Sequence, residues 1–323
     1  MILQHGYLKS VQLPGWLDDI IYNEFGAVYE PRPQDVEYNP DQQFEFVQLY
    51  LGTYFPRSYA EAYCIMSRLF DNPLYKQELS GLEEINILDF CCGTGGEIVG
   101  LIHFLNYNLP NLKRVNVDAY DANPNAIRFL FHLMERINDV PEIRLSVNIV
   151  PQGLFVETEK DMQDFVRMPN SLYHFVISFK ALNEFVQSNT FPNKNVYDLV
   201  PSYLLSLLDE KGILILSDLT HKHNGVYYPS IMNRGLNTCL KRNNNKYKTI
   251  IPITCFMYEE ICQGCYLQDS FYVTHSRKDR DLSKVAYRVI CKSDFAQHIM
   301  QVKVVGSCRH IDANANKSSP YYI

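Results

Sequence analysis

The sequence predicts an α/β protein built on a doubly wound, mostly parallel seven-stranded sheet, with a helical N-terminal cap and an inserted segment after strand five. Three observations predict it. Short apolar runs alternate with amphipathic stretches between Ile85 and Leu219, the first run ends in a turn of small residues at Cys91–Gly96, and the second ends in an acidic residue, Asp121.

Length and composition set the frame. With 323 residues the chain can bury a sizeable core, and 46% hydrophobic and 20% charged residues are ordinary for a globular protein. No apolar run reaches the roughly 18 residues that a membrane span requires. The stretch Met1 to Trp16 has neither a secretory nor an Arg-rich transit pattern. No membrane partner and a cytoplasmic location are therefore expected. The nine cysteines are odd in number and lack the spacing of a disulfide framework, which points to reduced thiols or metal ligands.

Residues 1–80 are expected to form the helical cap. Apolar residues recur at helical spacing in Trp16, Leu17, Ile20 and Ile21, and again in Phe46, Val47, Tyr50 and Leu51. A further helix is predicted from Ser58 to Leu69, with Ser58 as N-cap and Glu61 three residues on, the spacing of a capping box. Pro31, Pro33 and Pro40 mark an extended connector. Residues 81–293 hold the sheet. Its first five strands are predicted at Ile85–Phe90, Arg114–Tyr120, Arg144–Val150, His174–Phe179 and Gly212–Ser217, and the insertion follows at about residues 220–268. Ser270–Thr274 and Lys284–Cys291 complete the sheet as an antiparallel hairpin at one edge, and residues 294–323 form a tail.

The net charge of −6 hides an asymmetry. No acidic residue lies between Asp218 and Glu259, whereas Lys222, Arg234, Lys241, Arg242, Lys246 and Lys248 all do. A second basic cluster holds Arg277, Lys278, Arg280, Lys284, Arg288 and Lys292. Such a patch can track the phosphates of a structured RNA, or it can be a solvated face.

The chemistry concentrates at strand ends. Asp89-Phe90-Cys91-Cys92-Gly93-Thr94-Gly95-Gly96-Glu97 joins a strand to an apolar helix, Ile98–Phe104, through glycines that let a backbone approach a ligand. Asp121, at the end of the next strand, can accept both hydroxyls of a ribose; its alternative use is to cap the helix after Pro124. A dinucleotide-binding dehydrogenase is the rival reading, but the turn lacks the third glycine of G-x-G-x-x-G.

These residues resemble the S-adenosylmethionine-dependent class I methyltransferases over residues 81–291, with Cys91 in place of the first glycine of their first motif. The resemblance implies S-adenosylmethionine as cofactor, held by Asp89, Cys91, Gly93 and Gly95 at the turn, Asp121 at the ribose and Gln152 at the adenine. Ser178, at the end of the fourth strand, joins that set. Asn183 and Glu184, just beyond, are the expected catalytic residues facing the transferred methyl group, with a small-molecule acceptor expected first.

A narrower resemblance rests on Arg57-Ser58-Tyr59-Ala60-Glu61-Ala62-Tyr63, Leu182-Asn183-Glu184-Phe185, Gly212–Asp218 and the stretch beginning Ile251-Pro252. These occur in the same order in the methyltransferase-like proteins associated with assembly of the small ribosomal subunit. It implies Arg57 as a ligand of the methionine carboxylate, and an RNA- or ribosome-associated or non-catalytic role as the alternative function. It also implies an iron–sulfur cluster or zinc on Cys255, Cys262 and Cys265, with Cys291 or Cys308 as a fourth ligand.

Overall fold

The computed structural model describes residues 8–32, 43–244, 246–251 and 268–300. In chain order the elements are β1 (Ser10–Gln12), α1 (Gly15–Asp19) running into a π-helical turn (Ile20–Glu24), α2 (Gln43–Phe70), α3 (Pro73–Ser80), β2 (Glu84–Phe90), α4 (Gly96–Asn108), β3 (Arg114–Asp121), α5 (Pro124–Asn138), β4 (Ser146–Gly153) and α6 (Glu159–Phe165). There follow β5 (Tyr173–Phe179), α7 (Leu182–Gln187), α8 (Val196–Leu204), β6 (Leu208–Leu219), a ribbon of β7 (Lys222–His223) and β8 (Val226–Tyr227), α9 (Tyr228–Arg242), β9 (Tyr247–Ile251), β10 (Gln268–His275), β11 (Lys278–Lys292) and α10 (Ser293–Ile299).

This is the expected α/β architecture. The nine-stranded sheet has the order β1-β10-β11-β6-β5-β2-β3-β4, and β9 adds to β11. β3 pairs β4 in parallel, as β5 pairs β6, and β11 runs antiparallel to β6. β1 and β9 come in addition to the expected strands. β1 lies parallel to β10 with Ser10 opposite Tyr272, and β9 antiparallel to β11 with Ile251 opposite Val289.

The described residues divide into two compact units, one drawn from those within 1–85, 89–154 and 270–283, the other from those within 86–88, 155–269 and 284–323. In the first, α2 packs on α4. Backbone approaches backbone there, because a Cβ on Gly96 would lie 2.4 Å from the Phe55 carbonyl oxygen and one on Gly100 2.3 Å from that of Tyr59. β4 is an edge strand and tolerates Pro151, which has no N–H to give a neighbour. In the second unit β5 is buried along nearly its whole length, as a central strand covered on both faces must be.

Two elements differ from their expected form. Ser58 caps nothing: it lies inside α2, which runs unbroken for 28 residues through Pro56. Proline cannot donate to the carbonyl four residues back, so Gly52 loses its helical partner. The Tyr22 hydroxyl replaces that partner, donating to the Gly52 oxygen at 2.6 Å, and Glu61 accepts from the Ser283 hydroxyl instead of closing a capping box. Tyr22→Phe leaves a buried carbonyl without a donor and is expected to cost about 1–2 kcal/mol of stability, read from denaturation midpoints. The third strand begins at Ser146, not Arg144. Arg144 turns its guanidinium to the main-chain carbonyls of Asn106, Leu109 and Leu112, which terminate and follow α4; the Leu109 carbonyl also accepts the Leu112 N–H at 3.1 Å.

Pro33 and Pro40, Cys255, Cys262, Cys265 and Cys308, and the tail from residue 301 lie outside the described residues. Among the described residues no helix is long and apolar enough to cross a membrane.

Candidate functional site

In the first unit the small-residue turn takes a conformation that explains its composition. Cys91, Gly93 and Gly95 all have positive φ, at 63°, 48° and 79°. Gly95 is the left-handed N-cap of α4 and offers no side chain to the helix's first amides. A Cβ on Gly93 would meet nothing within 4 Å, so the turn is open on that side. Cys91 holds the same left-handed geometry at a cost on the order of 1 kcal/mol relative to glycine.

Asp121 joins the turn to β3. Its Oδ2 accepts the Gly93 N–H at 2.7 Å and its Oδ1 accepts the Asn123 N–H at 2.7 Å. Burial raises its carboxyl above the usual carboxylate range, opposed by these amides and that of Ala122. It does not cap α5. That work is done by Asn123, whose side chain accepts from Asn125 and Ala126 ahead of Pro124 in the first turn. Gln152 and Gly153 stand opposite Tyr120 and Asp121 in the β3–β4 register, and Gln152 donates to the Tyr120 hydroxyl at 3.4 Å. Strand pairing thus brings Asp121 and Gln152 together with the turn.

Asp89 is fully buried, and neither carboxylate oxygen has a hydrogen-bond partner among the described residues. Burial, and after it the charges of Glu97 and Asp121, hold its carboxyl well above the usual range. Arg57 is held by Asp281. Its Nε and Nη2 donate to the two carboxylate oxygens at 2.8 and 3.0 Å, and Tyr29 also donates to Asp281.

The second unit carries the other expected residues. Asn183 is buried, donating its backbone N–H to Asp218 Oδ2 at 2.9 Å; with its side-chain amide oriented nitrogen-inward, as these acceptors require, that nitrogen donates to Asp218 Oδ1 at 2.7 Å and to the Lys180 carbonyl at 2.8 Å. Tyr197 and the Leu219 N–H also donate to Asp218, each at 2.7 Å. Burial pushes the Asp218 carboxyl up to about 7 against the pull of these donors. Glu184 is exposed in the first turn of α7, and the buried Ser178 hydroxyl has no partner among the described residues. Sequence reasoning missed Asn123, Asp218 and Tyr197. The Asn-Pro pair was a readable cap signal; the other two acquire their roles only when α7, α8 and β6 meet.

The basic clusters are less free than their sequence implied. Arg288 is 1% exposed and donates to the Tyr287 carbonyl, so it cannot track phosphates. Arg242 is paired with Asp198 and Lys292 with Glu210. Arg234, Lys241 and Lys246 are exposed. Among the described residues no group of three or more His, Cys, Asp or Glu side chains is arranged to hold a metal ion, and Cys291 is a buried free thiol.

No family model matches the chain, and no curated protein matches it. Solved structures resemble it in fold. Mitomycin 7-O-methyltransferase is 8% identical with a TM-score of 0.43, over 81% of this chain and 60% of its own. An S-adenosylmethionine-dependent methyltransferase from Clostridium acetobutylicum is 12% identical with a TM-score of 0.31, over 76% of this chain and 78% of its own. An rRNA methyltransferase from Streptomyces viridochromogenes is 14% identical with a TM-score of 0.33, over 50% of this chain and 74% of its own. These are likenesses of architecture alone.

Proposed function

We propose that this chain binds S-adenosylmethionine and transfers its methyl group. The observation that carries the reading is the closure of β3 on the open glycine turn, with Asp121 accepting the Gly93 N–H at 2.7 Å. The backbone amides of Gly93, Asn123 and Ala122 act on the Asp121 carboxylate, whose roughly four acceptor sites leave one for a ribose hydroxyl. Gln152, in register with Tyr120, supplies polar atoms for the adenine edge. Because Asp281 occupies the Arg57 fork, the methionine carboxylate is assigned to the first amides of α4, where a helix start attracts an anion. The orphaned Asp89 carboxylate fits a ligand that carries positive charge.

Bound S-adenosylmethionine supplies a methyl group on a sulfonium, open to in-line attack by an acceptor nucleophile. The protein's part is chiefly to hold the two reactants in line. We assign Asn183 a positioning role through Asp218 and leave Glu184, which is exposed, as the group to meet an acceptor. Calorimetric titration tests the cofactor: S-adenosylmethionine and S-adenosylhomocysteine are expected to bind at micromolar or better affinity, and heat with NAD but with neither of these would overturn the reading.

The acceptor is proposed to be a small molecule. The exposed Arg234, Lys241 and Lys246 favour RNA as a second reading. Binding of a structured RNA that weakens steeply with salt, through release of counterions, is the result expected of that second reading. Salt-insensitive or absent RNA binding favours the small molecule. Intact cofactor binding with no methyl transfer to either class would instead support a non-catalytic assembly role.

A further inference from the structure

Asp89 is the penultimate residue of β2, ahead of a turn in which the Cys92 N–H bonds to the Tyr120 carbonyl, the Gly93 N–H to Asp121 and the Gly95 N–H to the Cys92 carbonyl. Both oxygens of Asp89 are buried without a partner among the described residues. The charged groups that act on it are acidic, Glu97 from α4 and Asp121 from β3. The Cys92 thiol is pushed up by burial and then by the charges of Asp89, Asp121 and Glu97. From α2, which meets α4 at Gly96, come Arg57, whose charge is answered by Asp281, and Glu61, which accepts from Ser283. A buried carboxylate with no partner for either oxygen, and with the charges of Glu97 and Asp121 acting on it, is disfavoured relative to the neutral acid.

We infer that Asp89 releases a proton when the cationic end of S-adenosylmethionine binds, the ligand's sulfonium or ammonium replacing the proton as its counter-charge. The inference rests on the cofactor reading above. The balance is simple: the carboxylic acid loses one proton to the solvent, the resulting carboxylate pairs with the ligand cation, and no electrons move. The deprotonated form is the binding form, so affinity rises with pH, by up to about tenfold per unit while Asp89 is protonated in the free protein, and levels off once it has ionised. The protein thereby favours a charged ligand over a neutral one. Adenosine, which has neither cation, should bind without the effect. S-adenosylhomocysteine, which keeps the ammonium and lacks the sulfonium, reports which of the two is the partner.

The test is calorimetry on the full chain below the roughly 7.7–8.0 where an α-ammonium itself titrates, in two buffers of different ionisation enthalpy, such as phosphate and imidazole. S-adenosylmethionine should bind with a buffer-dependent heat equivalent to release of up to one proton, and adenosine with none. Asp89→Asn should remove both the release and the rise of affinity with pH. Should that variant not fold, Glu97→Gln takes away one like charge, and the pH at which affinity levels off should move down. A buffer-independent heat with a flat pH profile for S-adenosylmethionine, or undiminished release from Asp89→Asn, overturns the inference and leaves the cofactor reading standing. Absence of any S-adenosylmethionine binding overturns both.

Discussion

Gly100→Ala is expected to destabilise the protein by about 3 kcal/mol, the upper end of what overpacking ordinarily costs. The sign is the informative part, because the same change at a solvent-facing helical position stabilises by up to about 1 kcal/mol. The added methyl would lie 2.3 Å from the Tyr59 carbonyl oxygen, and one on Gly96 2.4 Å from that of Phe55. Residues four apart share one face of a helix, so the two glycines form a single groove into which the backbone of α2 fits. Neither obstacle is the end of a flexible side chain that could swing away; α2 itself would have to move. Gly81→Ala is the control, since a Cβ there meets nothing within 4 Å. Chemical denaturation should separate the two variants clearly, and a Gly100→Ala midpoint as mild as that of Gly81→Ala would refute the close approach.

Asp121→Ala is expected to weaken S-adenosylmethionine binding by about 1.5–3 kcal/mol, the range for hydrogen bonds to a charged group. It should also lower stability, because the Gly93 and Asn123 amides both lose their acceptor. Asn123→Ala separates the two effects. It removes the cap of α5 and should cost about 1 kcal/mol of stability, with affinity for the cofactor nearly retained. Equal losses of affinity in the two variants would reduce Asp121 to a structural residue of the turn.

The strands most legible in the sequence were those buried from both sides or alternating against a core. β2, β3, β5 and β10 fall within a residue or two of their expected positions, because a run such as His174–Phe179 has little else to become. Elements whose partner lies far along the chain were not legible. β1 is three residues long and exists as a strand through its pairing with β10. Pro56 is a breaker by every local rule, and only the hydroxyl of Tyr22, thirty-four positions earlier, shows why α2 continues. Nothing near Arg144 in the sequence reveals that the carbonyls at and after the end of α4 draw its guanidinium away from a strand.

The site divided along the same line. The turn at Gly93–Gly95 and its place beside Asp121 could be read locally, because both depend on the backbone turn and the strand end that carry them. The occupation of Arg57 by Asp281 could not, since 224 positions separate the two residues.

One consequence of the clamping of α4 concerns heat capacity. Asp121 fixes the turn before the helix, the backbone of α2 fixes its flank, and Arg144 fixes the carbonyls after its end. The order a ligand needs at this helix is thus established during folding and not during binding. A nucleoside meeting such a pre-set cradle should show a heat-capacity change in proportion to the surface it covers, without the much larger negative value that accompanies coupled folding.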